Sequence, residues 1–212
     1  MPNAAAIKTA PSRPAPKGRK YCEVLAGARD VFLRDGFEGA SVDEIARTAG
    51  VSKATLYSYF ADKRALFLEV ARVECEHMAE KTLAQIDFSA PPRDALTTAA
   101  HSLTRFLLSD FSLQMFRICV AEAARFPALG QAFYASGPAM GHSRMAEYLS
   151  VAMARGELIQ ADPKLIAEQF SELCRVRLWT RAIFNVQDRF SQAEINSVVQ
   201  EAVQTTLARF GT

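Results

Sequence analysis

Apolar residues recur at helical spacing from about residue 19 onward. Leu25, Ala28 and Phe32 fall at i, i+3 and i+7, and Gly36 offers a C-terminal stop. This pattern predicts one amphipathic helix. No stretch of the chain alternates apolar and polar residues as a half-buried strand does, so the sequence predicts an all-α fold.

Three shorter signals follow this helix. Each combines a capping residue with a few apolar anchors, as helix starts do. The predicted elements are a helix over 41–48 with "SVDE" as a capping box from Ser41 to Glu44, a turn at Gly50, a helix over 52–60 capped by Ser52, and a longer helix capped by Asp62.

The rest of the chain repeats the same features on a larger scale. Asp162 precedes Pro163 as an N-cap precedes a first helical position, and Ser191 with Glu194 forms a second capping box. The predicted helices cover about 93–109, 112–125, 127–135, 138–155, 163–185 and 191–210. We therefore predict a disordered basic tail over 1–18, a small helical head over 19–65 and a larger helical domain over 66–212.

Composition supports an ordinary globular chain. Half of the 212 residues are apolar, so a sizeable core is expected without disulfides. The four cysteines are widely spaced and the histidines are not clustered, which predicts free thiols, no metal site and no cofactor. No apolar run is long enough for a membrane span and no signal peptide is evident. A soluble cytoplasmic protein is expected.

Charge is distributed unevenly. Residues 1–64 carry 11 Lys and Arg against 7 Asp and Glu, whereas the remaining residues carry 14 against 16. Part of the excess lies in the first twenty residues, which hold five basic residues and four prolines. Such a tail is usually a solvated one; an arm along a nucleic-acid backbone and a transit peptide are the alternatives.

Residues 41–63, "SVDEIARTAGVSKATLYSYFADK", crowd hydroxyls, phenols and an ammonium group onto two short helices joined at Gly50. That arrangement is a helix-turn-helix in outline. The second helix of such a motif lies in the major groove, where these groups have phosphates and base edges to contact. The pattern alone leaves two interpretations open, a DNA-binding motif and an ordinary small helical hairpin, which also shows capping residues and a glycine.

The stretch "VSKATLYSYFADKRALF", preceded by "SVDEIARTAG" and "LRDGFEGA", resembles the DNA-binding domain of TetR-family transcriptional regulators over residues 20–70. Two positions depart from the family pattern. Ala54 replaces the usual glycine after the recognition-helix lysine, and Tyr59 stands where histidine is common. Both replacements leave close approach to DNA and a phosphate donor in place.

The resemblance implies a DNA-facing set. Its members are Ser41 or Val42, Ser52, Lys53, Thr55, Tyr57, Tyr59 and Lys63, with Ser58 in reserve. Side-chain chemistry separates their roles, because phosphate contacts position a protein and base contacts specify the sequence. Lys63 and the two tyrosines suit phosphates, whereas Lys53 and Thr55 suit base edges.

The family also implies a larger domain that dimerises through its last two helices and binds a small molecule. A wide apolar stripe on the last helix supports dimerisation, although packing within one subunit is the alternative. The stripe comprises Ile195, Val198, Val199, Ala202, Val203, Thr206, Leu207 and Phe210.

The segment "FRICVAEAARFPALGQAFYASGPA" is similar to the C-terminal domain of AefR-like members, which implies a bacterial regulator with efflux or signalling targets. Aromatic and soft residues on the middle helices suit an apolar inducer pocket, although each is also suited to a core. They are Phe106, Met115, Phe116, Cys119, Phe133, Tyr134, His142, Met145 and Trp179, with Phe126, Met140 and Phe184 as further members.

Two other classes of function compete with a dimeric repressor of a palindromic operator. An enzyme is disfavoured because the chain has no Walker loop, no G-x-G-x-x-G and no H-E-x-x-H, and the "GHS" at 141–143 has no strand–turn–helix setting. A helical adaptor for another protein is disfavoured because Lys53, Tyr57 and Tyr59 together suit a polyanion. Binding to genomic DNA fragments separates these classes.

Overall fold

The computed structural model describes residues 18–83, 87 and 89–212, and the described residues are overwhelmingly helical. Residues 1–17, which hold nearly all of the tail predicted to be disordered, lie outside them. The helices are α1 (Arg19–Gly39), α2 (Val42–Thr48), α3 (Lys53–Tyr59), α4 (Lys63–Leu83), α5 (Pro92–Leu107), α6 (Asp110–Ala123), α7 (Pro127–Tyr134), α8 (Met140–Ala154), α9 (Pro163–Leu173), α10 (Trp179–Ile183) and α11 (Gln192–Phe210), with a π-helical turn Ala135–Ala139 between α7 and α8.

Most of the capping signals act as predicted. Asp62 Oδ1 accepts a hydrogen bond from Ala65 N at 2.8 Å, Asp162 caps α9, and Ser191 with Glu194 forms the complete capping box of α11. Gly36 interrupts α1 with a positive φ of 72°, although a last turn follows it. The described residues contain no helix long and apolar enough to cross a membrane.

One predicted helix was wrong. The continuous helix expected over 163–185 is two helices, because the backbone turns between Leu173 and Trp179 and Arg177 adopts a left-handed φ of 66°. No proline or glycine marks this break in the sequence. The start of α6 also differs, since Ser109 caps it and moves its beginning from 112 to Asp110.

A first core joins the head to the larger domain. Ile45, Leu56 and Phe67 are completely buried among residues of α1 to α4, and the same cluster continues into Met115 of α6 and Leu129 of α7. The predicted domain boundary at residue 65 therefore falls inside the continuous helix α4, and a shared core extends across it.

A second core contains the apolar stripe of the last helix. Val199, Ala202 and Val203 are at most 2% exposed and pack with residues of α5, α8 and α9 in the same subunit. The alternative of packing within one subunit is therefore the correct one for this stripe, and these valines do not form an exposed dimer contact. The outward face of α11 is polar or small, with Gln200 and Gln204 exposed.

Candidate nucleic-acid interface and ligand site

The α2–α3 hairpin is held against α1 by a close backbone approach. A Cβ on Gly27 would lie only 2.7 Å from Ala49 N, so only glycine allows this separation. Gly50 turns the chain with a φ of 64°, and Leu56 anchors α3 in the core with no exposed surface. The buried face of α3 therefore fixes the position of the helix on the core, and its remaining faces are exposed to solvent.

The two predicted N-caps of the hairpin are present. Ser41 Oγ accepts from Glu44 N at 3.1 Å, and Ser52 Oγ accepts from Thr55 N at 3.0 Å. The return bond predicted from Glu44 to the cap of α2 is replaced, because Arg47 and Arg34 donate to its carboxylate at 2.6 and 3.0 Å. These hydrogen bonds, first from Arg47 and then from Arg34, lower the pKa of Glu44.

The outward face of α3 presents the predicted donors. Tyr57 and Tyr59 are 50% and 42% exposed, and the Tyr59 ring meets the Tyr21 ring edge-on with centroids 5.7 Å apart. Lys53 is exposed and forms an ion pair with Asp43 of α2, which sequence reasoning missed. This ion pair bridges the two helices. A contact between Lys53 and DNA would therefore require Lys53 to give up the Asp43 carboxylate.

The hydroxyls of α3 and its N-cap already form local hydrogen bonds. Ser52 Oγ lies 2.8 Å from Thr55 Oγ1, and Ser58 Oγ donates to Thr55 O at 2.6 Å. A hydroxyl with a free lone pair can still accept a hydrogen bond from a base amino group, whereas Ser58 can donate to a phosphate only if its proton leaves Thr55 O.

Lys63 has a different environment from the other predicted DNA contacts. Its ammonium donates to the carbonyls of Phe37 at 2.7 Å and Ala40 at 3.0 Å, with Glu38 O at 3.4 Å, and it lies 4.7 Å from the Phe37 ring centroid. An ammonium has three N–H donors, and these three carbonyls can accept all of them. Its predicted phosphate contact stays a prediction and requires one carbonyl to be exchanged.

The fold places the predicted ligand residues in separate parts of the protein. Met115 and Cys119 are buried in the first core, with Phe106 and Phe133 packed against it, whereas Met145 packs against the second core. Burial raises the pKa of the Cys119 thiol to about 12, so it packs as a neutral group. Two further members face outward, since Tyr134 is 56% and Phe184 is 75% exposed.

Four of the predicted residues form one neighbourhood with an arginine that the sequence analysis missed. Phe116 contacts Phe133 and Trp179, with ring centroids 6.4 and 4.8 Å apart. The guanidinium carbon of Arg175 lies 5.1 Å from the Trp179 ring centroid. His142 is half-buried near the Arg175 charge, and burial is the main cause that lowers the pKa of this histidine.

Arg117 fastens α10 to α6. Its guanidinium donates to Ile183 O at 3.0 Å, Ala182 O at 2.7 Å and Asn185 Oδ1 at 2.7 Å, which satisfies carbonyls at the C-terminal end of α10. Trp179 at the other end of α10 is therefore tied to α6 through both a ring contact and these hydrogen bonds.

The turn after α6 reaches the head. The guanidinium carbons of Arg64 and Arg125 lie 4.2 and 4.9 Å from the Phe126 ring centroid, and Arg125 Nη1 lies 3.4 Å from Glu38 Oε1. These residues line an open cleft of about 200 Å³ that also includes Phe37, Asp62 and Lys63. The helix that carries Phe116 and Arg117 thus leads directly to a contact with the head.

Two family models match the chain. Residues 24–70 match the model described as bacterial regulatory proteins, tetR family, and residues 94–212 match the AefR-like transcriptional repressor, C-terminal domain. The chain is 43% identical over 58 residues to the HTH-type transcriptional repressor AcnR of Corynebacterium diphtheriae, a match that covers 27% of this chain and 30% of that protein. It therefore spans less than a third of that relative's length.

Solved structures match over nearly their whole length. A crystal structure of a TetR-family transcriptional regulator from Mesorhizobium loti MAFF303099 has a TM-score of 0.83 and 29% identity, and the match covers 92% of this chain and 98% of that one. The flavonoid-responsive regulator FrrA has a TM-score of 0.76 and 33% identity with the same coverage.

Proposed function

Because the chain belongs to the TetR family of transcriptional regulators, whose helix-turn-helix head binds DNA, we propose that it is a cytoplasmic repressor that binds a palindromic operator as a dimer. An apolar or aromatic small molecule releases it. The observation that carries the DNA-binding part is the exposed face of α3, where the two tyrosines and Lys53 project from a helix fixed by Leu56 and Gly27.

In this proposal α3 enters the major groove. Lys53 and Thr55 contact base edges, whereas Tyr57 and Tyr59 donate to phosphates, with Ser41 and Ser52 close to the backbone. The Asp43 carboxylate that holds Lys53 in the free protein is repelled by phosphate. Because Lys53 gives up the Asp43 carboxylate on binding, the protein favours DNA sites that offer Lys53 another good acceptor.

The dimer contact lies on the outward faces of α9 to α11. Exposed apolar side chains in this part of the chain are Leu165 of α9, Val176 before α10, and Phe184 and Val186 after α10, of which the last two are 75% and 73% exposed. Apolar side chains this exposed on a folded domain mark interaction surfaces when they cluster. A symmetric dimer places two α3 helices in major grooves one turn apart, about 34–36 Å.

The inducer contacts the aromatic neighbourhood of Phe116, Phe133 and Trp179, and α6 carries the effect to the head. The similarity to a flavonoid-responsive regulator supports an aromatic inducer. A ligand releases the operator only if it binds the non-binding arrangement of the heads more tightly, and moving a 1:99 population to 99:1 needs about 5.5 kcal/mol of such preference.

Selection of binding sites from a random DNA pool, followed by sequencing, tests the DNA-binding part. We expect a palindromic motif, which Lys53→Ala and Thr55→Ala change at defined positions. Lys164→Ala, an exposed lysine on α9, is the matched control and should leave the motif unchanged. If no motif were enriched and the protein instead captured another protein, the adaptor alternative would replace this proposal.

A further inference from the structure

We propose that the inducer is an aromatic molecule bearing an acidic oxygen, that Arg175 Nε donates to this oxygen, and that Trp179 and Phe116 contact the ring. The inference rests on the ligand response proposed above and adds the chemical class of the ligand. It assigns the selective contact to Arg175, a residue outside the set that the sequence analysis proposed.

The two ends of the Arg175 guanidinium differ in their surroundings. Nη1 lies 3.2 Å from Glu172 Oε1, and that carboxylate is 67% exposed, so this end faces solvent. Nε is buried and has no hydrogen-bond partner within the part of the chain that the structure describes. A buried donor without an acceptor has lost its hydrogen bonds to water without replacement, and an incoming acceptor would supply the missing bond.

The buried donor lies beside aromatic rings. The Arg175 guanidinium carbon lies 5.1 Å from the Trp179 ring centroid, and the Trp179 and Phe116 rings meet edge to face at 83°. A planar ligand ring can contact these ring edges and faces while a carboxylate or phenol oxygen reaches Nε. A hydrocarbon of the same shape would leave Nε unpaired.

A purely structural role for Arg175 makes a different prediction. In that case the Trp179 ring face satisfies the cation in every state, and the site does not distinguish an acid from its neutral analogue. Selectivity between matched ligands therefore separates the two roles.

The test uses three pairs of probes, each with one acidic and one neutral member: 2-naphthoate and 2-naphthamide, biphenyl-4-carboxylate and its carboxamide, and chrysin and flavone. Binding is followed by quenching of Trp179, the only tryptophan in the chain, with correction for absorbance by the probe. The first two pairs report on a carboxylate and the third on a phenol.

We expect the acidic member of at least one pair to bind tenfold or more tightly than its neutral partner. Arg175→Met should reduce that preference below threefold without lowering the midpoint of thermal unfolding. Arg175→Lys should restore only part of it, because lysine keeps the charge but lacks the Nε donor. Arg177→Met removes a positive charge from the same turn and should keep the full preference.

The outcomes separate this inference from the proposed ligand response. Equal binding of acidic and neutral members overturns the inference and leaves an aromatic inducer in place. Failure of all six probes to bind also overturns it. Acid binding that depends on Arg175 but does not release operator DNA supports Arg175 as the ligand contact and overturns the identification of that ligand as an inducer.

Discussion

Replacing Lys63 with Met tests whether this lysine supports the head or binds phosphate. The substitution keeps the apolar stem and removes the ammonium, which donates to Phe37 O at 2.7 Å and Ala40 O at 3.0 Å. A hydrogen bond to a charged group contributes about 1.5–3 kcal/mol, and the ring contact with Phe37 adds roughly 0.5–1 kcal/mol. Because the site is only half-buried and water replaces part of this loss, we expect a net destabilisation of about 2–3 kcal/mol.

The assay pairs thermal unfolding with the salt dependence of operator binding. For a chain of this size the loss corresponds to a midpoint about 4–12 °C lower. Lys53→Met is the matched control, since its exposed ion pair with Asp43 contributes little to stability. We expect Lys53→Met to keep the midpoint and weaken DNA binding. An unchanged midpoint for Lys63→Met, together with a salt slope reduced by about one unit per site, would refute the supporting role and confirm the phosphate contact.

Three further predictions concern the tyrosines, the dimer and pH. Tyr57→Phe should weaken binding to all operator sequences, whereas Tyr134→Phe, a similarly exposed phenol on α7, should not. Fluorescence anisotropy in the absence of inducer measures both. Phe184→Glu should yield monomers by light scattering, with Val120→Glu of α6 as the exposed control; a full-strength dimer of the Phe184 variant would reject the contact. Because the fold lowers the pKa of Glu44, its carboxylate stabilises the folded protein at pH values above its ordinary pKa of 4.5, and this contribution is lost as the pH falls through the lower pKa of the folded state. The difference in unfolding free energy between the unmodified protein and Glu44→Gln should therefore vanish in acid unfolding titrations.

Local chemistry made the head predictable. A serine N-cap depends only on residues within one helical turn, and Ser41 and Ser52 cap α2 and α3 of the head as predicted, as Ser191 caps α11 outside it. The break after Leu173 was not predictable, because the left-handed residue there is Arg177 and sequence signals for that conformation rely on glycine or asparagine.

Contacts between residues that lie far apart in the chain could not be predicted from the sequence either. The pattern showed a wide apolar stripe on the last helix, but periodicity cannot distinguish a neighbouring helix from a second subunit, and Val199 packs in its own subunit. Likewise, the sequence marked Lys63 as a cation without showing that the last carbonyls of α1 face it. Arg175 was missed because a charged residue on a predicted helix gives no sign of which nitrogen is buried.

The position of α6 between the aromatic residues around Phe116 and the head predicts where mutations that prevent induction will fall. Phe116, which contacts Trp179, lies seven residues before the last residue of α6, about 10 Å along a stiff helix, and the head contact of Arg125 lies in the turn that follows. Mutants selected to keep an operator-controlled gene silent in the presence of inducer should therefore concentrate at residues 124–126 and at Arg117. Such variants would still bind both DNA and inducer, and in a cell that also carries the normal gene they would be dominant, because dimers of two unresponsive subunits would still occupy the operator.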